Sequence, residues 1–99
     1  MSTARDQTLR VLRDALPELE RRFHVGSLRL FGSLARDEGG PQSDVDLLVE
    51  FVKPVGLFVL ADLREYLIEL LGRPVDVGTE GSLRPRIRDA VVAEAIRVA

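Results

Sequence analysis

A helical stretch set between two strand-like runs constrains this chain more than any other feature. Val45-Asp46-Leu47-Leu48-Val49-Glu50-Phe51 is the strongest strand in the sequence, and Lys53-Pro54-Val55-Gly56 after it is a turn region. Leu57, Leu60, Ala61, Arg64, Leu67, Ile68 and Leu71 then recur at helical spacing, until Gly72 closes the helix and Pro74 prevents it from resuming. Pro74–Gly78 is a second, shorter strand. Strand, helix and strand in this order form a crossover unit, so the two strands should run parallel.

The remaining elements build outward from that unit. Leu9, Leu12, Leu16, Leu19 and Phe23 alternate three- and four-residue steps, predicting an amphipathic helix over Thr3–Phe23 with a kink or break near Leu16, because Pro17 falls inside it. Val25–Phe31 alternates as a strand, with Val25, Ser27, Arg29 and Phe31 on one side and Gly26, Leu28 and Leu30 on the other. Gly32-Ser33-Leu34-Ala35-Arg36 is a tight turn into one or two helical turns, and Asp37–Ser43 an exposed loop. Thr79–Ser82 is a loop, Leu83–Ala95 a further helix with Pro85 in its first turn, and Ile96-Arg97-Val98 an extended end. The expected fold class is α/β (α+β), a small mixed β-sheet of three to four strands flanked by helices. At 99 residues the chain has room for one domain, residues 1–99.

Composition narrows the function classes. With 45% hydrophobic and 30% charged residues the chain is not disordered on hydrophobicity grounds. Fourteen basic residues against 16 acidic ones carry no strong nucleic-acid signature and no polybasic membrane surface. The absence of cysteine excludes disulfides, thiolate zinc sites and cysteine nucleophiles. No long apolar run or signal-peptide core is evident, and a cytoplasmic, membrane-free protein is the expectation.

The chemistry concentrates on three aspartates. Side chains alternate along a strand, so Asp44 and Asp46 share one face while Val45, Leu47, Val49 and Phe51 take the other. Two same-face carboxylates stand roughly 6.5–7 Å apart, within reach of one shared divalent ion or of two ions with substrate oxygens between them. Oxygen donors suit Mg²⁺, which completes its shell with water and phosphate. Asp76 faces opposite to Val75 and Val77, and a parallel neighbour would bring it beside the first two carboxylates. The strand ending at Gly32 should run antiparallel, delivering Gly32-Ser33 to the same edge with backbone N–H groups and a hydroxyl for a phosphate.

Gly32-Ser33, ten intervening residues and then Asp44-x-Asp46 resemble the signature of the DNA polymerase β-like nucleotidyltransferases. Within that superfamily the chain is most similar to the minimal nucleotidyltransferases, the MNT or MntA group. The likeness spans Phe31-Gly32-Ser33-x-Ala35-Arg36, Ser43–Phe51, Gly72-Arg73-Pro74-Val75-Asp76-Val77 and Leu83-Arg84-Pro85. The family often carries Arg where this chain has Leu34. The resemblance implies transfer of a nucleoside monophosphate from an NTP, ATP above all, to a hydroxyl with one or two Mg²⁺ ions. It implies Asp44, Asp46 and Asp76 as metal ligands and catalytic groups, with Asp76 favouring deprotonation of the acceptor. Gly32 and Ser33 are implied as holding the triphosphate, and Arg36 stands beside them as a further nucleotide-binding candidate. Family members are commonly paired with a HEPN-domain RNase toxin, which they adenylylate on tyrosine as antitoxins. The alternatives are a non-catalytic antitoxin that masks its partner, and a small-molecule nucleotidyltransferase of the aminoglycoside-modifying kind.

Other residues read more plainly. Arg36 has two readings, a phosphate contact or a surface ion pair with Asp37 or Glu38. Glu50 lies at the far end of the aspartate face as a solvated edge, and His24 ends a helix. Ser33 has no histidine or lysine partner in view for nucleophilic work. Arg84, Arg86 and Arg88 step by two around a helix, a solvated face rather than one stripe.

Overall fold

The computed structural model describes residues 3–40 and 42–98. Its elements follow in the order α1 (Ala4–Phe23), β1 (Val25–Phe31), α2 (Gly32–Ala35), β2 (Val45–Phe51), α3 (Leu57–Leu71), β3 (Val75–Gly78), a 3-10 turn (Glu80–Ser82), α4 (Pro85–Glu94) and β4 (Ile96–Arg97). The four strands form one sheet in the order β3-β2-β1-β4. β2 and β3 are parallel, as the α3 crossover requires, and β1 is antiparallel to both β2 and β4. This is the mixed, helix-flanked sheet expected from the sequence.

One face of the sheet carries the core. Leu12 and Leu19 of α1 and Leu63 and Leu67 of α3 pack with Leu28 and Leu30 of β1, Val45 and Leu47 of β2, and Val75 of β3. Each such side chain contributes roughly 1.5–3 kcal/mol relative to exposure. Gly72 ends α3 in the left-handed conformation, φ 67°, and its N–H donates to the Ile68 carbonyl. On the opposite face the 3-10 turn is tied down by an ion pair between Glu80 and Arg29. No helix among the described residues is long and apolar enough to cross a membrane.

Three local expectations are corrected. α1 runs from Ala4 to Phe23 without a break at Pro17. Pro17 is exposed, so the hydrogen bond it cannot donate is lost on the solvent side, while Leu12 and Ala15 before it and Leu19 and Phe23 after it remain anchored in the core. Val25 does not share the side of Ser27 and Arg29. A register irregularity between Val25 and Ser27 turns Val25 into the core with Leu28 and Leu30. α4 begins at Pro85, because a residue preceding proline is driven to extended backbone, and Arg84 sits at φ −64°, ψ 139°.

Candidate active site

Register brings the aspartates together. Asp46 of β2 is paired with Asp76 of β3 on one side and with Phe31 of β1 on the other. Directly paired residues project from the same face of a sheet, with strands about 4.8 Å apart. Asp44 lies two residues before Asp46; Asp44 and Asp76 are exposed and Asp46 is half-buried. The Asp46 carboxyl is raised above its ordinary pKa, first by burial, then by the negative charges of Asp76 and Asp44, with Arg36 opposing them. Asp76, Asp44 and Arg36 are therefore close enough for Asp46 to feel their charges.

The glycine turn closes on the same carboxylate. Gly32 opens α2 at φ 78°, a conformation that favours glycine, and a Cβ there would collide with Asp46 Oδ2 and stand 3.2 Å from Asp46 Cγ. Glycine is thus required twice, by the backbone and by the close approach to Asp46. Ser33 follows half-buried, and its carbonyl accepts the Glu38 N–H at 2.9 Å. Leu34 is completely buried and faces the core.

Arg36 is paired, and only one of its partners was visible in the sequence. Its Nε donates to Glu38 at 3.1 Å, as one reading had it, whereas Asp37 lies at 4.0 Å from Arg5 instead. Its Nη1 donates to both carboxylate oxygens of Glu94, at 3.1 Å each. Glu38 and then Glu94 hold the guanidinium above its ordinary pKa. Glu94 Oε1 also accepts the Gly32 backbone N–H at 3.2 Å. No local motif marks Glu94; a glutamate closing an amphipathic helix reads like any solvated residue. Arg73, beside Pro74, donates to the Gly40 carbonyl and ties the loop before Asp44 to the entry of β3.

The residues set aside keep structural places. His24 caps α1 in the left-handed region, φ 60°, its N–H bonded to the Glu20 and Leu19 carbonyls. Glu50 accepts from the Ser27 hydroxyl at 3.3 Å, at the far end of the aspartate face. Arg88 donates to the Leu83 carbonyl, while Arg84 and Arg86 are exposed.

The donor set fits a hard divalent cation. Asp46 is disfavoured as an anion by burial and then by the charges of Asp76 and Asp44, and the charge crowding among the three carboxylates is what a bound cation relieves. Among the described residues no group of three His, Cys, Asp or Glu side chains is placed to hold a metal ion by itself. Mg²⁺ does not need one, since it is commonly held by one or two carboxylates with water and substrate phosphates.

Comparison with known proteins bears on the family and the fold. The profile of the nucleotidyltransferase domain matches residues 9–98. The protein adenylyltransferase MntA of Thermococcus cleftensis is 41% identical over 81 residues, covering 82% of each chain. The solved structure of a candidate minimal nucleotidyltransferase superposes with a TM-score of 0.77 at 41% identity, over 96% of this chain and 95% of that one. A chain of the complex between tri-AMPylated Shewanella oneidensis HEPN toxin and MNT antitoxin shares the fold, with a TM-score of 0.65 at 18% identity over 92% of this chain and 71% of that one.

Proposed function

The chain belongs to the nucleotidyltransferase domain family, an enzyme family whose curated relatives include protein adenylyltransferases, and on that premise we propose that it transfers AMP from ATP to a tyrosine hydroxyl of a HEPN-domain toxin. One observation carries the reading: Asp46 is in lateral register with Asp76, follows Asp44 by two residues and lies against the Gly32 turn. Carboxylates for a cation and a turn for phosphates thereby meet at one sheet edge.

Asp44, Asp46 and Asp76 would hold Mg²⁺, which when bound neutralises charge on the transferring phosphate and lowers the pKa of the acceptor. Ser33 offers its hydroxyl and backbone N–H to the triphosphate, and Arg36 its guanidinium. The acceptor oxygen attacks the α-phosphorus, the bond to the β-phosphate bridging oxygen breaks, and pyrophosphate leaves. Asp76, exposed at the β3 edge, stands where an incoming hydroxyl can pass on its proton. Most of the rate then comes from orientation and electrostatics rather than covalent chemistry.

The test mixes this protein, α-labelled ATP, Mg²⁺ and the protein encoded beside it, with a HEPN-domain toxin as the expected acceptor. Label transferred to a tyrosine of that protein, and lost with Asp44→Asn or Asp46→Asn, supports the proposal. Undiminished neutralisation of the toxin by both variants would show masking without chemistry. Label on an aminoglycoside with none on protein would move the acceptor to small molecules.

A further inference from the structure

α2 is a single turn, Gly32–Ala35. One turn of helix does not hold its own shape in water, because nucleation fixes several dihedrals for very few hydrogen bonds. The geometry of a phosphate-receiving turn must therefore be imposed from outside. Leu34 and Ala35 fix its inner side by burial in the core. Its other side is gripped by one residue from the opposite end of the chain. Glu94 Oε1 accepts from the Gly32 N–H at 3.2 Å and from Arg36 Nη1 at 3.1 Å, and Oε2 accepts from the same Nη1 at 3.1 Å. A single carboxylate thus bridges the first residue of α2 and the residue that caps its end.

Glu94 is itself anchored. It is the last residue of α4, and two residues later Ile96 pairs with Leu30 of β1, the strand that runs into Gly32. The Val98 N–H then donates to the Leu28 carbonyl at 2.8 Å, and the Val98 carbonyl accepts from Arg13 Nε at 2.9 Å. The backbone behind Glu94 is therefore fixed against the sheet that carries the aspartates.

We infer that Glu94 is a positioning residue for nucleotide binding, acting through Gly32 and Arg36 to hold the turn in the arrangement that receives the triphosphate. This rests on the nucleotidyl-transfer reading above. An arginine head on its long side chain samples many rotamers when free. Glu38 on Nε and Glu94 on Nη1 restrict it to one, so less freedom is lost when a phosphate arrives. Glu38 is a near neighbour in sequence and grips only the side chain, whereas Glu94 also fixes the Gly32 peptide that lies against Asp46.

The experiment measures MgATP affinity of the full chain by calorimetry for wild type, Glu94→Ala, Glu94→Gln, Arg36→Ala and the Glu94→Ala/Arg36→Ala double variant. Loss of the charge-assisted bonds should raise Kd about tenfold in Glu94→Ala, and Glu94→Gln, which keeps an acceptor of the same shape, should stay within about threefold of wild type. Turnover at saturating ATP should change less than Kd does. In the Arg36→Ala background the Glu94→Ala change should have clearly less effect than alone, since residues acting through one another are not additive. Three results overturn the inference: an unchanged Kd in folded Glu94→Ala, a lowered Kd showing that the carboxylate competes with phosphate, or fully additive effects. Should Glu94→Ala fail to fold, Glu94→Asp, which draws the carboxylate back from the Gly32 N–H by one methylene, carries the test, and a wild-type Kd for it overturns the inference. A wild-type protein that binds no nucleoside triphosphate overturns the underlying reading, and this one with it.

Discussion

Gly32 leaves to Asp46 the space a side chain would take: a Cβ there would overlap Oδ2 and lie 3.2 Å from Cγ. Gly32→Ala must therefore push the carboxylate aside and also accept a φ of 78°, where an L-residue is strained by roughly 1–2 kcal/mol. Asp46 moves with it. The expected outcome is a stability loss of about 1–3 kcal/mol in chemical denaturation, and a fall in AMP transfer of at least about a hundredfold. Full activity in a folded Gly32→Ala protein would show that the close approach has no part in the chemistry.

Asp46 should be a stability cost that the site retains for function. Burial and the Asp76 and Asp44 charges raise its pKa in the folded chain. A carboxyl that titrates higher when folded leaves stability intact below its ordinary value of 3.8, and stability falls as pH rises through the folded value. Asp46→Asn removes that loss. The variant should melt within error of wild type at the acid end, and the gap in its favour should widen as pH rises from about 3.8 and level off above the folded pKa. At neutral pH it should be inactive and more thermostable by a few degrees. Thermal melts across pH check this, and a less stable Asp46→Asn at neutral pH would contradict it.

The aspartate pairing was legible because two short-range rules act on neighbouring segments. Alternation along β2 puts Asp44 and Asp46 on one face, and the α3 crossover forces β3 parallel, so Asp46 and Asp76 fall into register. The Gly32 turn followed from the antiparallel return of β1. What could not be read depends on contacts without a local pattern. Glu94 reaches residues 62 and 58 positions away, and nothing in Val91-Val92-Ala93-Glu94 marks it out. The turn of Val25 into the core depends on an irregularity in pairing with β2, where strict alternation predicts the opposite side.

Pro17 is a second position where tertiary packing overrides local preference. Proline inside a helix removes one backbone hydrogen bond and costs about 3 kcal/mol relative to alanine. α1 nevertheless continues to Phe23, held by Leu12, Ala15, Leu19 and Phe23. Because Pro17 is exposed, Pro17→Ala should restore the missing bond without disturbing the core. We expect a gain of about 1–3 kcal/mol in urea unfolding, with AMP transfer unchanged. A loss of stability would mean that the ring itself supports the helix.

The three-carboxylate edge should respond to divalent cation even before nucleotide is added. Like charges on Asp44, Asp46 and Asp76 oppose one another, and a cation that binds the folded arrangement but not the unfolded chain stabilises it by mass action, about 1.4 kcal/mol at tenfold above Kd. Screening by salt also weakens repulsion, so the comparison is against NaCl at equal ionic strength. Millimolar Mg²⁺ should raise the melting temperature of wild type beyond that control, by a smaller amount in Asp46→Asn, and not at all in Asp44→Asn/Asp46→Asn. Since among the described residues no three such side chains are placed to hold a metal ion by themselves, the response to Mg²⁺ alone should be modest and grow when ATP supplies phosphate oxygens. An equal response in wild type and the double variant would place the cation elsewhere and leave these aspartates without the role their register suggests.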